Sequence, residues 1–401
     1  MLNVERVRED FPQLKAGIIY FDNAASSLTP KTVIDKMLEY YVEYRSNIER
    51  GVYSLSQRAS EEYEDARRTL AKFIGAKNPD EIVFVKNTTE GINIVAHGLT
   101  FNRGDKIVTT LLEHHSNLLP WMRCKQRYGV RVEMVKPSGE GLLDPAEFEK
   151  AVDDKTKLVA VTHVSNVLGT VTPVREIAQI AHEHGALLLV DGAQAAPHLE
   201  VDVRRLDCDF YALSGHKMCG PTGSGVLYIK EEVSEALEPL YVGGGTVEYV
   251  DLEGFRLLRG PERFEAGTPA IGEVIGLKAA AQYLISLGRR NIEAHERELS
   301  RMVYEGLSSL KGVEVYGPSP EFKLGVTSFN LAGLNPHDLA SILDLKAGIA
   351  VRSGMHCAQP LVRQVLGKPE GTVRLSLYVY NTAEEVEIFL STMRELVREI
   401  A

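Results

Sequence analysis

The sequence predicts an α/β protein built on an open, mostly parallel sheet, followed by a smaller α+β domain. Three observations carry that expectation. Short apolar runs recur, residues 187–190 and 210–213 among them, and each delivers polar residues at its C-terminal end. Between such runs lie segments whose apolar residues fall three and four apart, the spacing of one helix face. Strand, helix and strand then follow one another at the spacing of a right-handed crossover, which sets neighbouring strands parallel. Ligands of such sheets sit outside the carboxyl ends of the strands, so the polar residues after each run converge on one crevice.

Composition sets the outer bounds. With 401 residues, 44% hydrophobic and 25% charged, the chain has the make-up of a globular protein large enough for two domains. A net charge of -10, with no basic tract interleaved with aromatics, argues against nucleic acid as a partner. Residues 1–12 are charged throughout, and no run approaches the roughly 18 to 20 apolar residues a membrane span needs. The expectation is a cytoplasmic protein with no membrane partner. The four cysteines form no CxxC pair, which suggests neither disulfides nor a metal site. Cys124, Cys208 and Cys219 read as small core hydrophobes.

Taken in order, residues 1–20 read as a short helix and an extended lead-in. Ala59, Tyr63, Ala66, Leu70 and Phe73 then mark an amphipathic helix that Gly75 suits as its end. A strand over 81–87 runs into a helix opened by Thr88, Thr89 and Gly91, either an ordinary threonine cap or a seat for a phosphate. The strand from 106 leads to His114 and His115. A helix over 118–129, a strand over 130–137 and a helix over 144–155 with an acidic face come next. The run from 157 leads to Ser165 and Asn166. The helix over 173–185 puts Val174, Ile177, Ala178 and Ala181 on one face. Past residue 225 come a strand, a helix and an excursion containing Gly243 to Gly245, which lacks the strand and helix a nucleotide loop needs. Long helices over 273–288 and 291–312 follow, the second with Ile292, His295, Leu299, Met302 and Leu310 inward. Strands over 325–333, 349–354 and 372–381 alternate with helices, the last from Ala383 to Ile400 with a capping box of Thr382 and Glu385.

The chemistry centres on residues 186–225. The first apolar run there delivers Asp191, the second Ser214, His216 and Lys217. A carboxylate and an amine presented side by side suggest pyridoxal phosphate chemistry, where a lysine holds the cofactor aldehyde and a carboxylate keeps the ring nitrogen protonated. Lys217 follows an apolar strand and Ser-Gly-His and precedes a Gly/Pro-rich loop, leaving it little room to be a surface residue. Cys357 sits in a loop bounded by Gly354 and Pro360, with His356 and Arg352 as positive neighbours of the kind that favour a thiolate.

DGAQA (191–195), SGHK (214–217), GPTG (220–223) and RSGMHCAQP (352–360) resemble the SufS-like, group II cysteine desulfurases among the fold-type I pyridoxal phosphate enzymes. The likeness runs from YFDNAA (20–25) to YNT (380–382). It implies a fold-type I PLP-dependent transferase with a large cofactor domain over 21–285, a mostly parallel sheet of the seven-stranded type, and a small domain of 1–20 and 286–401. It implies Lys217 as the Schiff-base lysine, Asp191 as the pyridinium partner, and His114 as a ring stacked on the cofactor that shuttles protons. Gln194 would reach the phenolic oxygen, and Thr88, Thr89, Ser214 and His216 would surround the phosphate. Asn166 would touch cofactor and substrate carboxylate, Arg374 would grip that carboxylate with Arg352 nearby, and Thr268 would reach the cofactor of a neighbouring subunit in a homodimer. Cys357 would take sulfur from L-cysteine as a persulfide, releasing L-alanine. The sulfur would pass to an acceptor of the SufE or SufU type, or directly to the scaffold, in iron-sulfur cluster assembly. A selenocysteine lyase or related carbon-sulfur lyase, and a non-turnover scaffold that docks a sulfur-transfer partner, are the alternatives. Glu49, Tyr53 and Met355 depart from the family pattern, where histidines are common.

Overall fold

A computed structural model describes residues 2–400. The chain enters through the two-residue strand β1 (Ile19–Tyr20) and then builds a central sheet from β2 (Ile82–Val85), β3 (Lys106–Thr110), β4 (Arg131–Val135), β5 (Thr156–Thr162), β6 (Leu187–Asp191), β7 (Phe210–Ser214) and β8 (Gly225–Ile229). The seven strands lie in the order β2-β8-β7-β6-β5-β3-β4. From β4 to β7 every neighbouring pair is parallel, and only β8 runs the other way, antiparallel to β7 and β2. The mostly parallel sheet is as expected. All residues of β2, β7 and β8 are buried, which is why these strands read as nearly unbroken apolar runs, whereas β3, equally buried, carries Lys106, Thr109 and Thr110. Strand β4, at an edge, instead alternates and turns Arg131 and Glu133 to solvent, the charged dressing that discourages edge pairing.

Helices cover both faces. Ser54–Ile74 buries Ala59, Tyr63, Ala66, Leu70 and Phe73, the spacing the sequence displays, and Gly75 ends it at φ 70°. The same face buries Arg67, whose guanidinium lies 2.8 Å from Glu265. Ile271–Leu287 packs across Lys31–Glu43 and Ser54–Ile74. The excursion is an antiparallel hairpin of β9 (Val247–Val250) and β10 (Phe255–Leu257).

The C-terminal part forms a second, antiparallel sheet. It contains β11 (Val313–Tyr316) and β12 (Val326–Leu331); after β13 (Ile349–Ala350) come β14 (Arg352–Gly354) and β15 (Thr372–Ser376). The order is β11-β12-β15-β14, while β13 pairs in parallel with β1. Strand β11 escapes the sequence reading, which runs the preceding helix to 312; the helix Arg289–Ser308 stops sooner, and Gly312 at φ 84° turns the chain back. Its buried face carries Glu296, Ser300 and Val303 with Ile292 and Leu299, whereas His295 and Met302 are half-buried and Leu310 lies beyond its end. The run over 372–381 leaves the sheet after Ser376 and buries Tyr378 and Tyr380 instead. The capping box is present: Glu385 N donates to Thr382 Oγ1 and Thr382 N to the Glu385 carboxylate, each at 3.1 Å. No helix among the described residues is long and apolar enough to cross a membrane.

Candidate active site

Because β8 is antiparallel to both of its neighbours, β2 points the same way as β3, β5, β6 and β7, and the loops after all five strands meet at one edge. The strand order also reverses there, since the chain runs outward from β3 to β4 and returns to β5 on the other side. A cavity of about 190 Å³ opens at that edge. Into it β2 hands Thr88 and Thr89, β3 hands His114, β5 hands Asn166, β6 hands Asp191 and Gln194, and β7 hands Ser214, His216 and Lys217. Arg352 and Arg374 close the wall from the second sheet. Gly192 is required where it stands, because a Cβ there would lie 2.0 Å from the Tyr211 ring.

Asp191 is buried and accepts a hydrogen bond from Ala193 N at 3.0 Å; burial pushes its carboxyl up, and Lys217 opposes the shift. Burial pulls the Lys217 ammonium down to about 8 despite the charge of Asp191, so a free amine is accessible near neutral pH. Burial, reinforced by Lys217, brings His114 to about 3, and its ring is neutral. His114 Nδ1 accepts from Ser116 N at 3.0 Å, which leaves the ring proton on Nε2. His216 is pulled down to about 4, again mainly by burial.

The helix Thr88–Gly98 points its N-terminus into the cavity, and its cap is Asn87, whose side chain accepts from Glu90 N at 3.1 Å. The threonines are thereby released from capping. Thr88 N and Oγ1 both meet Ser214 Oγ, at 2.9 and 2.8 Å, and Thr89 Oγ1 meets Ser116 Oγ at 2.7 Å. A hydroxyl cluster at the positive end of a helix is a seat for a phosphate. Ser116 has no place in the sequence reading; its signal was a hydroxyl two residues beyond His114.

The Cys357 loop is built by strain and clamped from outside. His356 and Cys357 occupy the left-handed region at φ 50° and 56°, costing roughly 1 to 2 kcal/mol per residue. Asn166 Nδ2 donates to His356 O and His115 N to Cys357 O, both at 2.7 Å. Cys357 is half-buried, with an Arg352 nitrogen 4.0 Å from its sulfur. The expectation that His356 adds positive charge is corrected. Its Nε2 turns to Thr372, 2.9 Å from Oγ1 and 3.0 Å from O, and burial with the two nearby arginines pushes the ring down to about 2. The cation beside the thiol is Arg352.

Arg374 is buried beneath this loop, donating to Asn166 O at 3.1 Å and Asp22 Oδ1 at 3.0 Å. Asp22, missed in the sequence, sits in the YFDNAA stretch. Replacing Arg374 with lysine removes the fork and strands Asp22. We expect KM for an amino-acid substrate to rise at least about tenfold with a smaller change in kcat, read by steady-state kinetics. Thr268 is exposed and lines a separate cavity with Tyr41 and Arg45. Tyr53 is exposed too, its hydroxyl 2.8 Å from Ser46 Oγ.

Three buried polar atoms around the main cavity, Gln194 Oε1, Arg374 Nε and His356 Nδ1, have no hydrogen-bond partner among the described residues. With an amine, a buried carboxylate, a flat neutral imidazole and a hydroxyl-lined helix terminus, the donor set fits pyridoxal phosphate. Residues 19–389 match the family described as aminotransferase class-V, and the chain belongs to that family. Within it the similarity runs to cysteine desulfurases. A probable cysteine desulfurase of Pyrococcus abyssi is 51% identical over 400 residues, 99% of this chain and 98% of that protein. The apo structure of a cysteine desulfurase from Thermococcus onnurineus NA1 superposes with a TM-score of 0.95 at 51% identity, covering 100% of this chain and 99% of that one. The cysteine desulfurase CsdA of Escherichia coli gives 0.92 at 33% identity, with both chains covered in full at 100%.

Proposed function

We propose that this protein is a pyridoxal 5'-phosphate-dependent L-cysteine desulfurase that releases L-alanine and leaves the sulfur as a persulfide on Cys357. The observation that carries the reading is the clamped thiol loop: Asn166 and His115, on loops following β5 and β3, hold successive carbonyls of the Cys357 segment beside the Lys217 cavity. A transaminase has no use for such a loop.

Lys217 would hold the cofactor through its amine, Asp191 would face the ring nitrogen, and His114 would lie against the ring. Gln194 would approach the phenolic oxygen, and Thr88, Thr89, Ser214 and His216 would surround the phosphate. When bound, pyridoxal phosphate supplies an electron sink for a carbanion at the substrate Cα. Arg374 and Asn166 orient the substrate carboxylate, and Arg352 steadies the negative thiol. Lys217 Nζ takes the Cα proton. The Cys357 thiolate attacks the substrate sulfur, so that a sulfur-sulfur bond forms as the carbon-sulfur bond breaks. The Cβ gains a proton and the Cα regains the one it lost, with His114 Nε2 and Lys217 as the groups that carry them. Cysteine and one thiol thus become alanine and one persulfide, and no outside oxidant is needed.

The same proposal includes a homodimer in which Thr268 reaches the neighbouring cofactor, delivery of the sulfur to an acceptor of the SufE or SufU type or to the cluster scaffold, and a cytoplasmic location. It also divides the chain into a large domain of 21–285 and a small domain of 1–20 and 286–401, supported by the pairing of β1 with β13. The test is to incubate the purified protein with L-cysteine, quantify alanine and sulfide, and weigh the peptide that contains Cys357. Alanine with one added sulfur on that peptide is expected. A yellow protein that yields no alanine would point instead to a scaffold without turnover.

A further inference from the structure

Glu113 lies between the end of β3 and His114. Its side chain is buried, and no lysine, arginine or histidine pairs with it among the described residues. One carboxyl oxygen meets Thr110 Oγ1 at 2.6 Å and Thr162 N at 3.1 Å; the other accepts from Asn117 Nδ2 at 2.6 Å. Thr110 ends β3, Thr162 ends β5 opposite Asp191, and Asn117 closes the turn after His114. Three segments are therefore tied by one carboxyl group.

Neither of two of these donors can turn round. Thr162 offers a main-chain N–H. Asn117 is fixed because its Oδ1 accepts from Trp121 Nε1 at 3.1 Å, and an indole nitrogen only donates. Each carboxyl oxygen must therefore accept. Burial pushes the Glu113 carboxyl up to about 8, and the need for two acceptors holds in either protonation state. The turn so fixed carries both functional neighbours: the His114 ring at the cavity, and His115, whose N–H holds Cys357 O at 2.7 Å and whose Nε2 accepts from Gln359 N at 3.2 Å.

We propose that Glu113 is a positioning residue that aligns the cofactor-facing His114 and the Cys357 loop together, acting through its two acceptor oxygens. For its kinetic arm this rests on the desulfurase reading; its other arms do not.

Glu113→Gln is the test, because an amide must set an NH2 group against either Thr162 N–H or Asn117 NH2. Its partner is the double variant Glu113→Gln with Asn117→Asp. There the glutamine NH2 donates to Asp, the other Asp oxygen still accepts from Trp121, and the glutamine oxygen accepts from Thr110 and Thr162. The single variant should speed amide exchange in segments 114–118 and 355–359 and alter the alkylation rate of Cys357, both read by peptide mass spectrometry on the full-length protein. Its kcat should fall roughly 10- to 100-fold, the range set by misplacing reacting groups by about an ångström. The double variant should return exchange, alkylation and kcat to within about threefold of the unsubstituted protein. A single variant too unstable to purify beside a folded, active double variant gives the same support. Parent-like exchange and kcat in Glu113→Gln, or a double variant no better than the single, folding included, would overturn the assignment. If the unsubstituted protein makes no alanine, the desulfurase reading has failed, while exchange and alkylation still decide the role of Glu113.

Discussion

Replacing Lys217 with alanine should reduce alanine formation from cysteine on the order of 10³-fold or more, the loss typical when a central proton-transfer group is removed. Lys217 is the one primary amine among the residues lining the cavity; the other cations there, Arg352 and Arg374, are guanidiniums that neither condense with an aldehyde nor shed a proton near neutrality. Burial has already brought the Lys217 amine down to about 8, poised between its free and protonated forms. A second readout separates holding from turnover. The alanine variant should lose its cofactor on gel filtration, whereas an inert surface lysine would leave both colour and rate unchanged. Parent-like turnover would remove Lys217 from the mechanism.

Cys357→Ala should show the complementary pattern, with the cofactor retained and alanine formation lowered on the order of 10³-fold, as expected when a nucleophile is deleted. The contrast with the other cysteines is physical. Burial pushes the Cys124 and Cys219 thiols up to about 11 and 12, and Cys208 is raised still further, which keeps all three protonated. Cys357 alone is half-exposed, with a guanidinium beside it and its backbone held in the left-handed region. The measurements are alanine by chromatography and the sulfur content of the Cys357 peptide. If Cys357→Ala made alanine and sulfide at the parent rate, the sulfur would have to leave by another route, and the clamped loop would lose its stated role.

Much of the candidate site was legible because the elements that line it are strands followed by short motifs. An apolar run that ends in Asp191, and another that ends in Ser214 and Lys217, announce both the sheet and the edge at which it works. What escaped were residues whose importance depends on distant partners. Asp22 matters because it braces Arg374, more than three hundred residues away in the chain. Ser116 matters because it meets Thr89. Glu113 looks like an ordinary loop carboxylate until Thr110, Thr162 and Asn117 are seen around it. His356 failed in the opposite direction: adjacency to Cys357 suggested a positive charge, and burial against Thr372 made it neutral.

The amino-acid order by itself determined where strands and helices alternate, which residues stand at strand ends, and which thiol sits in a loop rather than a core. Those properties follow from local periodicity and turn chemistry, which the chain carries at short range. Only the tertiary structure decided which segments hold the Cys357 loop, which cation stands beside its sulfur and which carboxyl group ties the turn after His114 to β5. Each depends on desolvation and hydrogen bonding between segments far apart in sequence, and no local pattern encodes how deeply a side chain will be buried.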